Sequence, residues 1–315
     1  MSIAFVFPGQ GSQTMGMGQQ FLENFASARH VMEEVNDALS QNLTSLILQG
    51  PLEDLTLTEN AQPALLAISM AILKTLENEA KRPILQLVHS LAGHSLGEYS
   101  ALCAAGVFTI GQAVRLVRLR GQAMQKAVPL GKGSMAAILG LEVPTVEKML
   151  KDFSNPKEVC VVANDNAPGQ VVISGHKTTV DQAIVKASEM GAKRAVPLAV
   201  SAPFHSPLMQ PAADIMREAL HQSSLQNPIL PVFSNVTAMP VVGAEALPDL
   251  LAQQITGRVR WRESIMNLSS MGCHHIVEVG AGKVLTGLNK RIVPDRTATA
   301  INTPGDLDLF LQSLT

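Results

Sequence analysis

Gly93-His94-Ser95-Leu96-Gly97 forms a G-x-S-x-G run where a strand-like segment gives way to a helix-like one. A serine at such a corner can be a nucleophile, because the glycines allow a sharp turn that lifts its hydroxyl above a sheet. The amides that follow open a helix, where partial positive charge favours an oxyanion. A serine that merely caps a helix fits the same pattern. The strand before it and the small-residue helix after it favour the nucleophile. Such a serine needs a base. Of eight histidines, His205 in SAPFHSP stands just past a strand and just before a helix, where a sheet-edge site gathers its loops. His94, adjacent to Ser95, is expected to point elsewhere. An esterase would place an Asp or Glu between the serine and the histidine in chain order. Many acids lie in that interval, none in a distinctive context. A Ser–His pair oriented by an amide or a carbonyl stays open.

Arg120 is the second informative residue. From Ile110 to Ala127 the residues Ala113, Leu116, Val117, Ala123, Met124 and Ala127 make one apolar stripe at helical spacing, and Arg120 falls inside it. Arg115, Arg118, Gln122 and Lys126 take the other side. A guanidinium facing the interior requires an anionic partner. A buried acid and a substrate carboxylate suit this requirement equally. Gly9-Gln10-Gly11, after the first strand, can bring a backbone amide near Ser95 or simply make a tight turn. Asn164 and Asn166 fall in NDNAPGQ, read as the connection between two strands, where turn residues are expected. Glu278 to Lys283 ends a strand in a Gly-rich turn but lacks the phosphate-loop pattern, and no dinucleotide fingerprint is present.

These residues need a sheet to hold them. Ile3–Phe7 reads as a buried strand, Gly18 to Leu39 as helical, and a long helix is expected to open at Pro63. Strand, turn and helix then repeat, which implies an α/β domain with a mainly parallel sheet. From Ser134 to Leu198 the order becomes β-α-β-β-α-β, that of a ferredoxin-like module. Two domains follow: a discontinuous α/β domain, 1–130 and 199–315, and an inserted subdomain, 131–198. The chain has 315 residues, with 24 Lys plus Arg against 26 Asp plus Glu. That balance argues against a nucleic-acid partner. Three scattered cysteines give no disulfide framework or metal cluster. The N-terminus lacks the basic region of a signal peptide. No apolar run reaches the roughly 20 residues that cross a bilayer. A cytoplasmic protein with no membrane association is expected.

Taken together, FVFPGQGSQ, GHSLGEYSAL, RLRGQAMQ, SAPFHSPLM and EVGAGKVLTGL resemble the bacterial malonyl-CoA:acyl-carrier-protein transacylases, in order and across essentially the whole chain. The resemblance implies an α/β-hydrolase-like large domain with an inserted ferredoxin-like subdomain. It implies malonyl transfer from coenzyme A to the phosphopantetheine thiol of acyl carrier protein, in fatty-acid synthesis. The coenzyme A thioester is then a substrate, no metal or redox cofactor is needed, and a monomer is expected. By the same resemblance Ser95 is the nucleophile, His205 the base and Arg120 the receptor of the malonyl carboxylate. Gln10 and Leu96 supply oxyanion-hole amides. The main-chain carbonyl of Gln254 orients the histidine, and this glutamine is counted with the substrate-binding residues. Asn164 and Asn166 line the cleft. Phe204 goes with malonyl rather than branched extender units, since a bulky ring beside the α-carbon crowds a methyl branch. Arg118, Lys126, Lys283, Lys290 and Arg291 are candidates for docking an acidic carrier. His89 on the approach strand, where the family is usually apolar, has no assigned role. A hydrolase with the same elbow and a non-catalytic scaffold are the competing classes. Arg120 and the inserted module argue against the hydrolase, since giving an acyl group to water needs neither.

Overall fold

The computed structural model describes residues 2–153, 158–200 and 202–314; Ser201 of SAPFHSP lies outside them. The strands in chain order are β1 (Ile3–Phe7), β2 (Ser90–Gly93), β3 (Gly133–Leu139), β4 (Cys160–Ala167), β5 (Gln170–His176), β6 (Arg194–Pro197), β7 (Val232–Phe233), β8 (His275–Val279) and β9 (Thr297–Ile301). They form two sheets. One is parallel, in the order β7-β2-β1-β8-β9. The other is antiparallel, in the order β4-β5-β3-β6.

β1 lies at the centre of the parallel sheet and is buried along its whole length. A strand covered on both faces reads as a continuous apolar run, which is why IAFVF shows no alternation. Its side chains still alternate in space. Ile3, Phe5 and Phe7 pack into the core that holds the helix Thr58–Ala80. Ala4 and Val6 face a second core around Trp261 and Ile265. The Thr58–Ala80 helix is buried on nearly every side, so it carries apolar residues all round rather than a stripe. It begins five residues before Pro63, the expected start, and Pro63 sits inside it.

The antiparallel sheet draws all its strands from residues 133 to 197, and the helices Val143–Lys151 and Lys177–Glu189 pack on it over a third core. NDNA, expected in a connection, is strand: β4 runs on to Ala167 and only Pro168-Gly169 makes the turn. Two register shifts against β5 let it continue past the polar residues. The edge strand β9 and the helices Trp261–Ser270 and Pro304–Gln312 were not apparent in the sequence. His89 is exposed, just ahead of β2, outside the apolar interior. The three cysteines are free. No helix among the described residues is long and apolar enough to cross a membrane.

Candidate active site

β2 ends at Gly93 and only His94 and Ser95 separate it from the helix Leu96–Ala104, so the chain reverses at Ser95. Ser95 has φ 52° and ψ −109°, a conformation that costs a non-glycine residue about 1–3 kcal/mol. Its neighbours explain the glycines. A Cβ on Gly93 would lie 1.9 Å from the Gly97 carbonyl, and one on Gly97 would lie 2.1 Å from the Phe7 carbonyl oxygen. Both contacts are with backbone, which cannot swing aside. Asn235 pins the turn: its Oδ1 accepts from the Ser95 N–H at 2.7 Å, and its Nδ2 donates to the Gly93 carbonyl at 2.7 Å. Gly97→Ala is therefore expected to cost about 1–3 kcal/mol from overpacking. It should slow serine acylation about 10²-fold through displacement of the elbow. Thermal melting and acylation rate check this together; wild-type values in both would remove the packing account.

His205 also has a positive φ, 57°, and its N–H donates to the Ile255 carbonyl at 3.1 Å. Ser95 Oγ is 2.8 Å from His205 Nε2. His205 Nδ1 is 2.8 Å from the Gln254 carbonyl oxygen. A carbonyl only accepts, so Nδ1 carries the proton and Nε2 presents its lone pair to the serine hydroxyl. The orienting group left open by the sequence is thus a backbone carbonyl. Burial, and then the charge of Arg120, pull the imidazole down to about 3.

Arg120 comes from the helix Ile110–Lys126 and is buried with the apolar stripe. Its Nη1 donates to Gln62 Oε1 at 2.8 Å, and its Nη2 to Gln254 Oε1 at 2.8 Å and Ser95 Oγ at 3.2 Å. It stands 5.6 Å over the Tyr99 ring. None of the ion pairs among the described residues includes Arg120. Its nearest polar partners are neutral oxygens, and its Nε has no partner. The buried acid that would have made it a structural salt bridge is not within bridging distance. A desolvated cation that faces a cavity, with neutral hydrogen-bond partners and the Glu98 carboxyl beyond ion-pair distance, has the chemistry to accept a carboxylate there.

That cavity has a volume of about 320 Å³. Its wall brings together Ser95, His205, Arg120, Gln10, Leu96, Asn164, Asn166 and Phe204 from both sheets and their connections. The backbone amides of Gln10 and Leu96 donate to no other group among the described residues, which leaves them free for an oxyanion. Asn166 Oδ1 lies 2.8 Å from His94 Nε2, so His94 faces the cavity rather than away from it. The strand β4 reaches the site through a bridge between Asn164 and Val259, with Asp165 N–H donating to the Val259 carbonyl at 3.0 Å. Phe204 is buried beside His205. Gln254 departs from expectation: it is fully buried and does not line the cavity. Its side chain bonds to Arg120 and its carbonyl to His205, so it holds two residues of the cavity wall without itself forming part of that wall.

The sequence reading missed Asn235, Gln62 and Glu98. Asn235 and Gln62 carry no local signal. Glu98 had one: it is the only charged residue in the apolar helix LGEYSALCA. Among the basic residues proposed for docking, Arg118 bonds to Gln41, Lys283 pairs with Asp306, and Arg291 holds Gln170 and the Pro168 carbonyl.

Residues 4–298 match the family model described as the acyl transferase domain. The malonyl CoA-acyl carrier protein transacylase of Bacillus subtilis is 43% identical over 312 residues, covering 99% of this chain and 97% of that protein. The solved acyl-carrier-protein-S-malonyltransferase of Bartonella henselae is 50% identical with a TM-score of 0.95, covering 100% of this chain and 99% of that one. A malonyl-transacylase solved in complex with its type II PKS acyl-carrier protein is 41% identical with a TM-score of 0.96, covering 99% and 100%.

Proposed function

The chain belongs to the acyl transferase domain family, and from that premise we propose that it moves malonyl from coenzyme A to the phosphopantetheine thiol of acyl carrier protein, for fatty-acid synthesis. The observation that carries the reading is Arg120, a buried guanidinium with only neutral partners, 3.2 Å from the hydroxyl of Ser95. Malonyl differs from acetyl by one free carboxylate, and this is the group such a site selects.

In the proposed reaction His205 Nε2 takes the Ser95 proton as Oγ attacks the thioester carbonyl. The Gln10 and Leu96 amides hold the oxyanion. The C–S bond breaks, coenzyme A leaves as the thiol with the proton from His205, and a malonyl ester remains on Ser95. The carrier thiol then repeats the steps in reverse, giving ping-pong covalent catalysis. The malonyl carboxylate has a second effect. Burial is the larger cause of the depression of His205; paired with Arg120, the carboxylate offsets the second cause, the guanidinium charge, and so raises the basicity of His205 in part when the right acyl group is bound. Nucleophilic addition and elimination at the carbonyl, with one proton moved by His205 in each direction, account for every step without a change of oxidation state, so the reading needs no metal or redox cofactor.

The finer architecture belongs to the same reading. Residues 1–130 and 199–315 are taken as one α/β-hydrolase-like domain, and 131–198 as an inserted ferredoxin-like subdomain. The distribution of strands between the two sheets supports this. A cytoplasmic monomer acting without nucleic acid or membrane is proposed with it. The hydrolase alternative leaves Arg120 without a task.

Incubation with malonyl-CoA is expected to add one malonyl mass to Ser95, and holo carrier protein to remove it. Loss of a charge-assisted pair is worth about 1.5–3 kcal/mol. Arg120→Ala should therefore cut malonyl acylation roughly 10- to 150-fold. Acetyl acylation should stay equal or rise, and lysine at position 120 should restore malonyl only partly. Intact-protein mass spectrometry and initial rates read both effects. An equal drop for the two acyl groups would overturn Arg120 as receptor, and release to water rather than to carrier would overturn transfer.

A further inference from the structure

Glu98 lies on the first turn of the helix that follows the elbow and is fully buried. It lines no part of the substrate cavity. Its Oε2 accepts two donors, the Gln254 Nε2 amide at 2.7 Å and the Asn235 N–H at 3.1 Å. Each donor belongs to a residue that holds the reacting groups. Asn235 holds the Ser95 N–H and the Gly93 carbonyl. The Gln254 amide receives Arg120 on Oε1 at 2.8 Å and donates from Nε2 to the Ser95 carbonyl at 2.9 Å.

We propose that Glu98 is a positioning residue of this site: its carboxyl fixes the orientation of the Gln254 amide and, through it, the aim of Arg120 at the acyl carboxylate. The inference rests on the malonyl reading above. A primary amide is nearly symmetric in shape, with oxygen and NH2 interchangeable in space but opposite in chemistry. If the Gln254 amide turned over, its N–H groups would meet the Arg120 guanidinium, donor against donor. The oxygen stays toward Arg120 because both amide hydrogens are claimed elsewhere, one by the Ser95 carbonyl and one by Glu98. Removing Glu98 leaves a buried hydrogen without an acceptor, and relieving it competes directly with the grip on Arg120. The role is that of an acceptor. Glu98 Oε1 has no hydrogen bond of normal geometry, and the Ser234 hydroxyl beside the carboxyl can accept as well as donate, so glutamine at this position can keep an oxygen where Oε2 is and place its NH2 on the Oε1 side. Burial pushes the Glu98 carboxyl up to about 7, and a protonated carboxyl with its hydrogen on Oε1 keeps the same acceptor.

The test is the ratio of kcat/KM for malonyl-CoA to that for acetyl-CoA, per active site titrated with a fluorophosphonate, in wild type, Glu98→Gln, Glu98→Met, Gln254→Met and Arg120→Ala. Damage to the elbow through Asn235, or partial unfolding, lowers both substrates together and cancels in the ratio. Glu98→Met is expected to lower the ratio about tenfold or more, as expected for a weakened hydrogen bond to a charged group. Glu98→Gln should keep it within about threefold. If Glu98→Met does not fold, Gln254→Met reads the same link from its other end and must show the same loss. A wild-type ratio in Glu98→Met or Gln254→Met, while Arg120→Ala collapses it, overturns the role of Glu98 alone. So does a loss in Glu98→Gln equal to that in Glu98→Met. If Arg120→Ala also keeps the ratio, the malonyl reading itself has failed.

Discussion

Ser95→Ala is expected to abolish malonyl transfer while the protein melts close to the wild-type temperature. The hydroxyl caps nothing: no side-chain bond from Ser95 reaches the helix it precedes. Its removal takes one donor from His205 Nε2 and one acceptor from Arg120 Nη2, which keeps its bond to Gln254. The neutral bond to His205 is worth about 1 kcal/mol, and the loss at Arg120 Nη2 is softened because that group keeps its shorter bond to Gln254. The strain at φ 52° is carried by the backbone and its Asn235 clamp and is unchanged. The proposed chemistry, by contrast, loses its covalent acceptor. Loss of a nucleophile in a comparable serine enzyme costs on the order of 10⁶-fold in turnover, so transfer to holo carrier protein should fall to background. Intact-mass measurement after malonyl-CoA should show no adduct. More than trace transfer by a clean Ser95→Ala preparation would assign the nucleophile to another residue.

His205→Ala is expected to slow acylation of Ser95 by roughly 10²–10⁴-fold, the range for a positioned general base. Malonyl-CoA should still bind, because Arg120 keeps Gln62 and Gln254 as its partners. Stopped-flow acylation and equilibrium binding separate the two. The pH dependence of stability provides a second readout. His205 lies at about 3 in the folded protein against an ordinary 6.5. The unfolded chain therefore binds the extra proton first, and stability conferred by the neutral imidazole is present above 6.5 and lost as pH falls toward 3. Glu98 works in the opposite sense. Raised from 4.5 to about 7, it favours the folded state at low pH, and that contribution fades as pH rises through 7. Between 4.5 and 6.5 the two slopes oppose each other. His205→Ala removes only the first, so the variant should lose less stability on acidification than wild type. A melting temperature that falls in parallel for both proteins would mean that His205 is not held neutral in the fold.

Much of the fold was legible because burial imposes patterns that local sequence must carry. A central parallel strand has to be apolar throughout, and IAFVF is. An amphipathic helix has to show a stripe, and the stripe from Ala113 to Met124 exposed Arg120 as the residue out of place. The elbow was legible for a steric reason: backbone packs within van der Waals contact of Gly93 and Gly97, so no other residue type fits. What failed was local reasoning about polar residues. Asn164 and Asn166 suggested a turn, yet they continue a strand, because the bulged β4 uses them to wall a cavity and to reach Val259 and His94. Pro63 suggested a helix start, yet tertiary burial holds the helix together from Thr58.

The amino-acid sequence alone determined which chemical groups were available: a serine that must sit on a strained turn, a histidine placed at a sheet edge, and a cation embedded among apolar neighbours. Each of these is a local property, set by the residue and those within a turn of it. Only the tertiary structure decided their partners. His205 takes its orientation from a carbonyl 49 positions away. Arg120 is held by glutamines 58 and 134 positions away. Glu98 meets Asn235 and Gln254 at separations of 137 and 156. Any amide or backbone carbonyl could serve in these places, and a sequence holds dozens of them. Hydrogen-bond partners are chosen by position and direction in space, and these come into being only when the sheet, its crossing helices and the second sheet close around the cavity.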